Sequence, residues 1–160
     1  MPTTKSILTK SKDWTSFKRT VDALDNKQKG DAFEDLAQHF FQIDPKYRTK
    51  LKNVWNVNKR EVPSRIHRKL NLPSPDLGID LLAETTEGEF WAIQCKYHSD
   101  QGRSLKLDEV EGCMSLAFGH CKGISLAIIC TSAEKYSRHL KKYAEEKLAY
   151  CDGSVWRGLD

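Results

Sequence analysis

The sequence predicts an α/β protein in which a central β-sheet is flanked by helices. Helical and strand-like segments alternate along the 160 residues, and the strand-like segment 124–130 is continuously apolar, as in a strand buried on both faces. Hydrophobic residues make up 39% of the chain and charged residues 30%, a composition typical of one folded domain. No apolar run approaches the ~20 residues that span a bilayer, so a membrane protein is excluded.

The first part of the chain is predicted to be helical. Residues 13–25 place large apolar side chains on one side. A break at 28–31, with Asp31 as the candidate N-cap, precedes a stronger pattern in which apolar residues recur at i, i+3, i+4, i+7 and i+8. These residues are Phe33, Leu36, Ala37, Phe40 and Phe41. Pro45 is expected to end this helix.

The rest of the chain is predicted to alternate between strands and helices. Three prolines between residues 59 and 76 predict a loop, and a turn is expected at 84–88. The predicted strands are 53–58, 77–83, 89–98 and 124–130, and the predicted helices are 107–118 and 133–149. This order favours a single layered core.

The domain organisation is predicted from the same patterns. Residues 1–28 are expected to form an N-terminal helical extension and residues 29–150 the core. Residues 152–160 show no helical or strand period, and residues 151–160 are interpreted as the start of a linker to a further domain. A polar N-terminus without a secretory pattern, together with five irregularly spaced cysteines, favours a cytoplasmic location with reduced thiols.

Positive charge is concentrated in one block. Residues 1–75 contain sixteen Lys and Arg against eight Asp and Glu, and residues 76–160 contain ten against fourteen. Nine of the basic residues lie between positions 46 and 69, with Glu61 alone opposing them. Such a block attracts a polyanion through the release of counterions. We predict contact with nucleic acid through Lys50, Lys52, Lys59, Arg60, Arg65, Arg68 and Lys69.

The strands at 77–83 and 89–98 predict a hairpin centred near Glu87. Antiparallel pairing about that centre places Asp80 opposite Gln94, with Cβ atoms about 4.5–5.5 Å apart. Because strand side chains alternate, Asp80, Gln94 and Lys96 are predicted to project from one face of the sheet. The other face is apolar and is expected to pack on helices: Trp91, Ile93, Cys95 and Tyr97.

A carboxylate, an amide and an ammonium group on one sheet face indicate metal-assisted phosphoryl chemistry. Asp80 and Gln94 offer the oxygen ligands that Mg²⁺ prefers, and the backbone carbonyl of Cys95 is a further predicted ligand. Mn²⁺ is expected to be able to take the place of Mg²⁺. Lys96 would orient a metal-bound water or stabilise charge on a phosphate.

These residues carry a family resemblance. The segments Pro75-Asp76-Leu77-Gly78-Ile79-Asp80 and Ala92-Ile93-Gln94-Cys95-Lys96 resemble the PD-(D/E)xK nuclease superfamily, in particular its Mrr-like branch, which carries an Asp-x-Gly-x-Asp strand and a Gln-x-Lys strand. The resemblance covers residues 29–149. It implies a restriction-endonuclease-like fold with a central mixed sheet, and metal-dependent cleavage of DNA phosphodiester bonds.

The resemblance also assigns roles residue by residue. Asp80 matches the metal-binding Asp, and Lys96 matches the active-site Lys. Gln94 stands where other members of the superfamily carry Asp or Glu, a departure that the Mrr-like branch accommodates. Glu34, on the Phe33–Phe41 helix, matches an acidic residue that many members bring from their first core helix, and is a further catalytic and metal-binding candidate.

Two alternatives remain open at this point. Asp76 competes with Asp80 as the first acidic ligand, although pairing about the same centre places Asp76 opposite His98, and strand alternation favours Asp80. A non-catalytic DNA-binding module with the same fold is the alternative function, favoured by the neutral Gln94. A structural or protein-interaction domain would show no DNA affinity.

The favoured function is a Mg²⁺-dependent endonuclease domain that acts on double-stranded DNA. By analogy with Mrr-like nucleases, we expect it to belong to a prokaryotic restriction system and to be fused to helicase, translocase or specificity domains. Cleavage of both strands needs two active sites or two events, which suggests a dimer or a paired encounter on DNA.

Overall fold

A computed structural model of the chain describes residues 7–8, 11–75, 77–100, 102–142 and 146–160. The strands are β1 (Leu51–Asn56), β2 (Leu81–Thr85), β3 (Phe90–Lys96), β4 (Ile124–Thr131) and β5 (Leu148–Cys151). The helices are α1 (Trp14–Asp22), α2 (Asn26–Ile43), α3 (Pro45–Arg48), α4 (Ser64–Leu70), α5 (Leu107–Met114), α6 (Arg138–Lys141) and α7 (Gly153–Arg157). Helix α5 continues into a π-helical segment, Ser115–His120. Within these ranges, every helix is too short or too polar to span a bilayer.

The strands form one mixed sheet in chain order, β1-β2-β3-β4-β5. The pairs β1–β2 and β2–β3 are antiparallel, whereas β3–β4 and β4–β5 are parallel. Helices pack against both faces, α4 and α5 on one side and α1, α2 and α7 on the other. The predicted α/β fold with a central mixed sheet is therefore confirmed.

The β2–β3 hairpin has the predicted register, with Leu81 paired to Ile93. The Asp80 N–H donates to the Ile93 carbonyl at 2.9 Å, and the Asp80 carbonyl accepts from the Val57 N–H at 2.9 Å. Asp80 therefore lies directly before β2, with its backbone bonded to Ile93 on one side and Val57 on the other, but outside the β2–β3 ladder, whose last pair is Leu81 with Ile93. The prediction that the strand begins at residue 77 is wrong, because Gly78 has a φ of +127°, a backbone conformation incompatible with a strand.

The face of β3 that carries Gln94 is not polar along its whole length. Phe90 and Ala92 share this face and are 4% and 0% exposed, because they pack in one core with Val110 and Cys113 of α5. Both faces of the sheet are thus apolar toward the hairpin end. The polar character begins only at Gln94, where β3 approaches its carboxyl end.

The start of α2 differs from the prediction. Its N-cap is Asp25, whose side chain accepts from the Gln28 N–H at 2.8 Å. The expected break at 28–31 and the expected cap at Asp31 are therefore wrong, since Gly30 and Asp31 lie inside the helix. Helix α2 ends at Ile43, and Pro45 then begins α3, where its missing N–H is not needed.

Two further elements differ from the sequence prediction. Helix α4 lies where a loop was expected, and Pro63 directly precedes it without interrupting any helical hydrogen bond. The long helix predicted at 133–149 is wrong. Among the described residues of that range, only α6 is an α-helix, and the segment returns as β5 because β4 offers an unpaired edge for parallel pairing. Residues 143–145 of that predicted helix lie outside the described residues.

The C-terminal segment is part of the second core. Residues 152–160 were expected to lack regular structure, but they contain α7, and Trp156 is fully buried. Its indole N–H donates to the Thr131 carbonyl at 2.9 Å. The ring centroids of Trp14, Phe33 and Phe40 lie 5.1–6.2 Å from that of Trp156. Burial of this large ring ties the segment to the fold, and the predicted division into domains stays a prediction.

Candidate active site

A polar depression opens where β2 begins and β3 ends. It brings together the five predicted site residues, Glu34, Asp80, Gln94, Cys95 and Lys96, and it is also lined by Gly30, Asn58, Leu77 and Gly78. The register of the hairpin places Asp80 beside β3, and α2 packs across the same end of the sheet and presents Glu34. Asp76, the competing candidate, lies outside the described residues.

Asp80 is held on both carboxylate oxygens. Its Oδ2 accepts from the Cys95 N–H at 2.8 Å, and its Oδ1 accepts from Asn58 Nδ2 at 3.0 Å. The same Asn58 nitrogen donates to Oε1 of Glu34 at 2.5 Å. One amide thus joins two carboxylates that come from a helix and a strand.

Asn58 was missed by the sequence reasoning. It lies two residues beyond β1, inside the block of basic residues, and an Asn after a strand is an ordinary turn residue. No sequence pattern distinguishes it. Only the packing of α2 against β1 brings it between Glu34 and Asp80.

The two carboxylates are electrostatically unfavourable as neighbours. Glu34 is 8% exposed, and burial together with the negative charge of Asp80 raises the pKa of Glu34 to about 8, against the opposing effect of the Asn58 hydrogen bond. The Glu34 carboxyl therefore holds a proton at neutral pH. A cation bound between the two groups would remove the repulsion and allow both to ionise.

Gln94 is buried with its acceptor unused. The side chain is 7% exposed, and its Oε1 has no hydrogen-bond partner in the described part of the chain. Leaving a buried polar group unsatisfied costs about 1–3 kcal/mol. Gly78 faces this amide, since a Cβ at Gly78 would lie 3.6 Å from Gln94 Nε2 and 3.1 Å from Leu116 Cδ1.

Lys96 presents an unpaired charge to the depression. Across the described ranges, its ammonium makes no ion pair and no hydrogen bond, and the residue is half-buried. An unpaired cation at the wall of a site that also holds two carboxylates is free to contact an anionic substrate.

The donor set fits a hard divalent cation. In the parts of the chain that the structure describes, no three side chains of His, Cys, Asp or Glu form a metal cluster. The available donors are the carboxylates of Glu34 and Asp80, the amide oxygen of Gln94 and the Cys95 carbonyl. Mg²⁺ is commonly held by one or two carboxylates and retains several waters, so this oxygen set suits it better than a thiol-preferring metal.

The seven predicted DNA-contacting residues are all exposed but do not lie together. Lys59 and Arg60 directly follow Asn58 at the site. Lys50 and Lys52 lie at the start of β1, which pairs with the Thr85 end of β2. Five ladder steps separate that end from the site, about 17 Å at 3.3–3.4 Å per residue.

The remaining three basic residues belong to α4. Arg65 and Arg68 are exposed on this helix. The Lys69 ammonium lies 5.5 Å from the centroid of the Phe90 ring, at the hairpin end of the sheet. The basic residues are therefore neighbours in sequence but do not form one continuous surface, because β1 and α4 distribute them along the length of the sheet.

Comparison with known proteins identifies the family. A family model, Mrr_cat_2, described as a restriction endonuclease, matches residues 42–151, a range that includes all five strands with Asp80, Gln94 and Lys96 but begins after Glu34. No curated protein sequence matches the chain. A solved structure described as "ATP-dependent Type ISP restriction-modification enzyme LlaBIII bound to DNA" is similar in fold, with a TM-score of 0.60 and 17% sequence identity.

That similarity covers 98% of this chain and 8% of the other chain, so this chain spans a small part of the larger enzyme. At 17% identity it shows the fold alone. The family model, by contrast, covers more than half of the chain and includes the hairpin that carries the site. The fold is restriction-endonuclease-like, and the chain belongs to the restriction endonuclease family.

Proposed function

We propose that this chain is a nuclease domain of a prokaryotic restriction system that hydrolyses DNA phosphodiester bonds with the help of a divalent metal ion. The observation that carries the proposal is the pairing of Glu34 and Asp80 beside the unpartnered oxygen of Gln94. Membership of the restriction endonuclease family supports the DNA nuclease activity. The oxygen-only donor set supports the metal dependence.

The metal is proposed to be Mg²⁺, with Mn²⁺ able to take its place. Asp80, Glu34, Gln94 Oε1 and the Cys95 carbonyl would hold it. When bound, such an ion lowers the pKa of a coordinated water and offsets charge that develops on the phosphate. The Cys95 N–H and Asn58 contribute by fixing the Asp80 carboxylate, so little reorganisation is needed when the ion arrives.

Lys96 is proposed to stabilise the negative charge of the phosphate that is cut. Its ammonium needs no separation from an existing partner, because it has none among the described residues. A positioned cation of this kind acts where charge increases in the transition state. Asn58 is proposed to be a positioning residue, since it donates to both carboxylates.

Double-stranded DNA is the proposed substrate. Lys59 and Arg60 lie nearest to the site and would contact the backbone there, where contacts position the duplex without reading its sequence. Lys59 also pairs with Asp35 at 2.7 Å, so Arg60 carries the freer charge of the two. The other predicted contacts extend toward the hairpin end: Lys50, Lys52, Arg65, Arg68 and Lys69.

The assembly is also a proposal. The similar solved protein is a restriction-modification enzyme of which this chain would span 8%. We propose that this domain likewise works fused to helicase, translocase or specificity domains. Two copies meeting on DNA, as a dimer or a paired encounter, would cut both strands.

Plasmid nicking tests the proposed function. Wild-type chain with Mg²⁺ or Mn²⁺ should convert supercoiled DNA to nicked and linear forms, and Asp80→Asn should abolish this conversion. Glu87→Gln is the matched control, because Glu87 is an exposed carboxylate in the hairpin turn at the other end of the sheet. A wild-type chain that binds duplex DNA but does not cleave it with either metal would support the non-catalytic alternative instead.

A further inference from the structure

We propose that a second cleft beside the active-site depression binds a backbone phosphate of the DNA strand, next to the phosphate that is cut. This inference rests on the proposed function and extends it. The cleft has a volume of about 510 Å³ and lies between the start of α2, the segment after β3 and the start of α5. It shares Gly30 and Lys96 with the depression, so the two are continuous.

Three cations from three elements line this cleft: Lys29, Lys96 and Arg103. The Lys29 ammonium donates to the Ser99 hydroxyl at 2.8 Å, and within the described ranges no carboxylate lies in ion-pair distance of Lys29 or Lys96. Arg103 has only a loose contact of 3.9 Å with Glu109. Cations gathered in a concave surface attract a polyanion more strongly than isolated surface charges do.

Two nearby lysines pair with carboxylates of their own helices. Lys27, two residues before Lys29 in α2, pairs with Asp31 at 3.4 Å, and Lys18 of α1 pairs with Asp22 at 2.9 Å. Neither Lys29 nor Lys96 has such a carboxylate among the described residues, so both ammonium groups can approach an anion in the cleft.

The two carboxylates of the cleft are engaged by the protein. Glu109 Oε1 lies 3.0 Å from His98 Nε2, and Glu109 Oε2 accepts from the Lys106 N–H at 2.8 Å. Asp100 Oδ1 accepts from the Gly102 N–H at 2.8 Å. These hydrogen bonds fix the loop after β3 and the start of α5. Both carboxylates thus have partners within the protein, and the ammonium groups of the cleft can bind an anion.

The floor of the cleft is fixed before any ligand binds. The His98 N–H donates to the Ser132 hydroxyl at 2.7 Å, and that hydroxyl donates to the His98 carbonyl at 2.9 Å, so the chain after β3 is tied to the end of β4. The Ser99 carbonyl accepts from Lys18 at 2.9 Å. A site fixed in this way loses little conformational entropy on binding.

A DNA phosphate is the anion that this position favours. Lys96 lines both the depression and the cleft. A DNA strand whose scissile phosphate lies in the depression would therefore place its next phosphate at the cleft. Arg103 provides a planar guanidinium that can donate two hydrogen bonds to a phosphate. Lys50 and Lys52, predicted from sequence, lie about 17 Å from the site at the other end of β1.

The test is the salt dependence of duplex binding, measured by fluorescence anisotropy without divalent metal so that no cleavage occurs. The double variant Lys29→Ala/Arg103→Ala should lower the slope of log K against log salt by about 2, because each lost phosphate contact removes about 0.9. Lys27→Ala, the control on the same helix, should keep the wild-type slope. Lys29→Arg should keep it as well, since it retains the charge.

A double variant with the wild-type slope and an unchanged thermal unfolding curve would contradict phosphate binding in the cleft. A loss of slope of the same size in Lys27→Ala would contradict it as well. Wild-type chain that shows the predicted slopes but no metal-dependent nicking overturns the proposed nuclease activity and leaves the cleft standing. Wild-type binding without any salt dependence overturns both.

Discussion

The two ends of the β2–β3 hairpin both carry carboxylate and amide side chains, but the hydrogen-bonding groups of these side chains have partners at one end, whereas within the described ranges a buried amide oxygen lacks one at the other. At the turn end, Asn53 donates to Glu84 at 2.9 Å, and the buried Thr85 hydroxyl accepts from the Glu89 N–H at 2.9 Å. At the open end, Glu34 is buried beside Asp80, and the Gln94 oxygen has no partner among the described residues.

The destabilising polar groups of this hairpin are found at its open end. The Asn53 amide and the Thr85 hydroxyl at the turn end have partners within the fold. The open end contains two crowded carboxylates and an unused acceptor, and each is destabilising in the absence of a ligand. Replacing Glu34 or Gln94 should therefore stabilise the metal-free fold while it removes function, whereas replacing Asn53 at the turn end should lower stability and leave function in place.

The largest expected effect is on activity. Lys96→Ala should lower metal-dependent plasmid nicking by about 10²–10³-fold, the usual effect of removing one group that stabilises transition-state charge. The unfolding temperature should stay unchanged, because the Lys96 ammonium has no partner to lose in the described structure. Nicking at the wild-type rate would contradict the proposed role of Lys96.

Glu34 should make the stability of the metal-free protein depend on pH. Its pKa is raised from 4.5 to about 8, so between these values the folded state holds a proton that the unfolded chain has released. The free energy of unfolding should therefore fall as the pH rises from about 4.5 to about 8, and level off above. Glu34→Gln should remove this fall.

Urea unfolding at several pH values, with a chelator present, measures this effect. At pH 9 the Glu34→Gln variant should be more stable than wild type by on the order of 2 kcal/mol. Glu84→Gln also removes a carboxylate, but at the turn end, where Glu84 accepts a hydrogen bond from Asn53. This variant should not be more stable than wild type at any of these pH values. Parallel pH profiles for wild type and Glu34→Gln would contradict the buried carboxylate pair.

Gln94→Leu should raise the free energy of unfolding by about 1 kcal/mol in metal-free buffer, because it replaces an unsatisfied buried acceptor with an apolar group. The same variant should weaken Mg²⁺ binding in calorimetric titration. Asn53→Ala at the turn end should lower the free energy of unfolding by about 1 kcal/mol. If both variants destabilise equally, the two ends do not differ as the structure indicates.

The backbone at the open end should be sensitive to an added side chain. Gly78 has a φ of +127°, and an added Cβ would meet Leu116 at 3.1 Å, so Gly78→Ala should cost about 1–3 kcal/mol and displace Asp80. Gly30→Ala is the control, because a Cβ there meets nothing within 4 Å and the position is inside α2. Chemical denaturation of both variants measures the difference.

Several features of the site followed from local rules in the sequence. The β2–β3 register was predicted because a short turn and the alternation of strand side chains together leave one pairing that buries the apolar set. That register, extended by one residue, predicted Asp80 at the end of β3, where its carboxylate accepts from the Cys95 N–H. The buried β4 strand and the apolar stripe of α2 were likewise predictable, since each depends on a periodic pattern within one segment.

Other features depended on contacts between distant segments. Helix α6 and strand β5 stand in place of the predicted long helix because the free edge of β4 outweighed a helical pattern, and α7 forms where Trp156 is buried among aromatic rings. Asn58 gained its place from the packing of α2 on β1.

Local patterns in the amino-acid sequence were enough to specify a central sheet, the hairpin register and the residues at its polar end. Packing between distant segments was needed to bury Glu34 next to Asp80, to spread the basic block along the sheet, and to bring Lys29 and Arg103 into one cleft. The two sets differ because hydrogen-bond registers and side-chain periods act between near neighbours, whereas burial and charge proximity depend on which elements pack together.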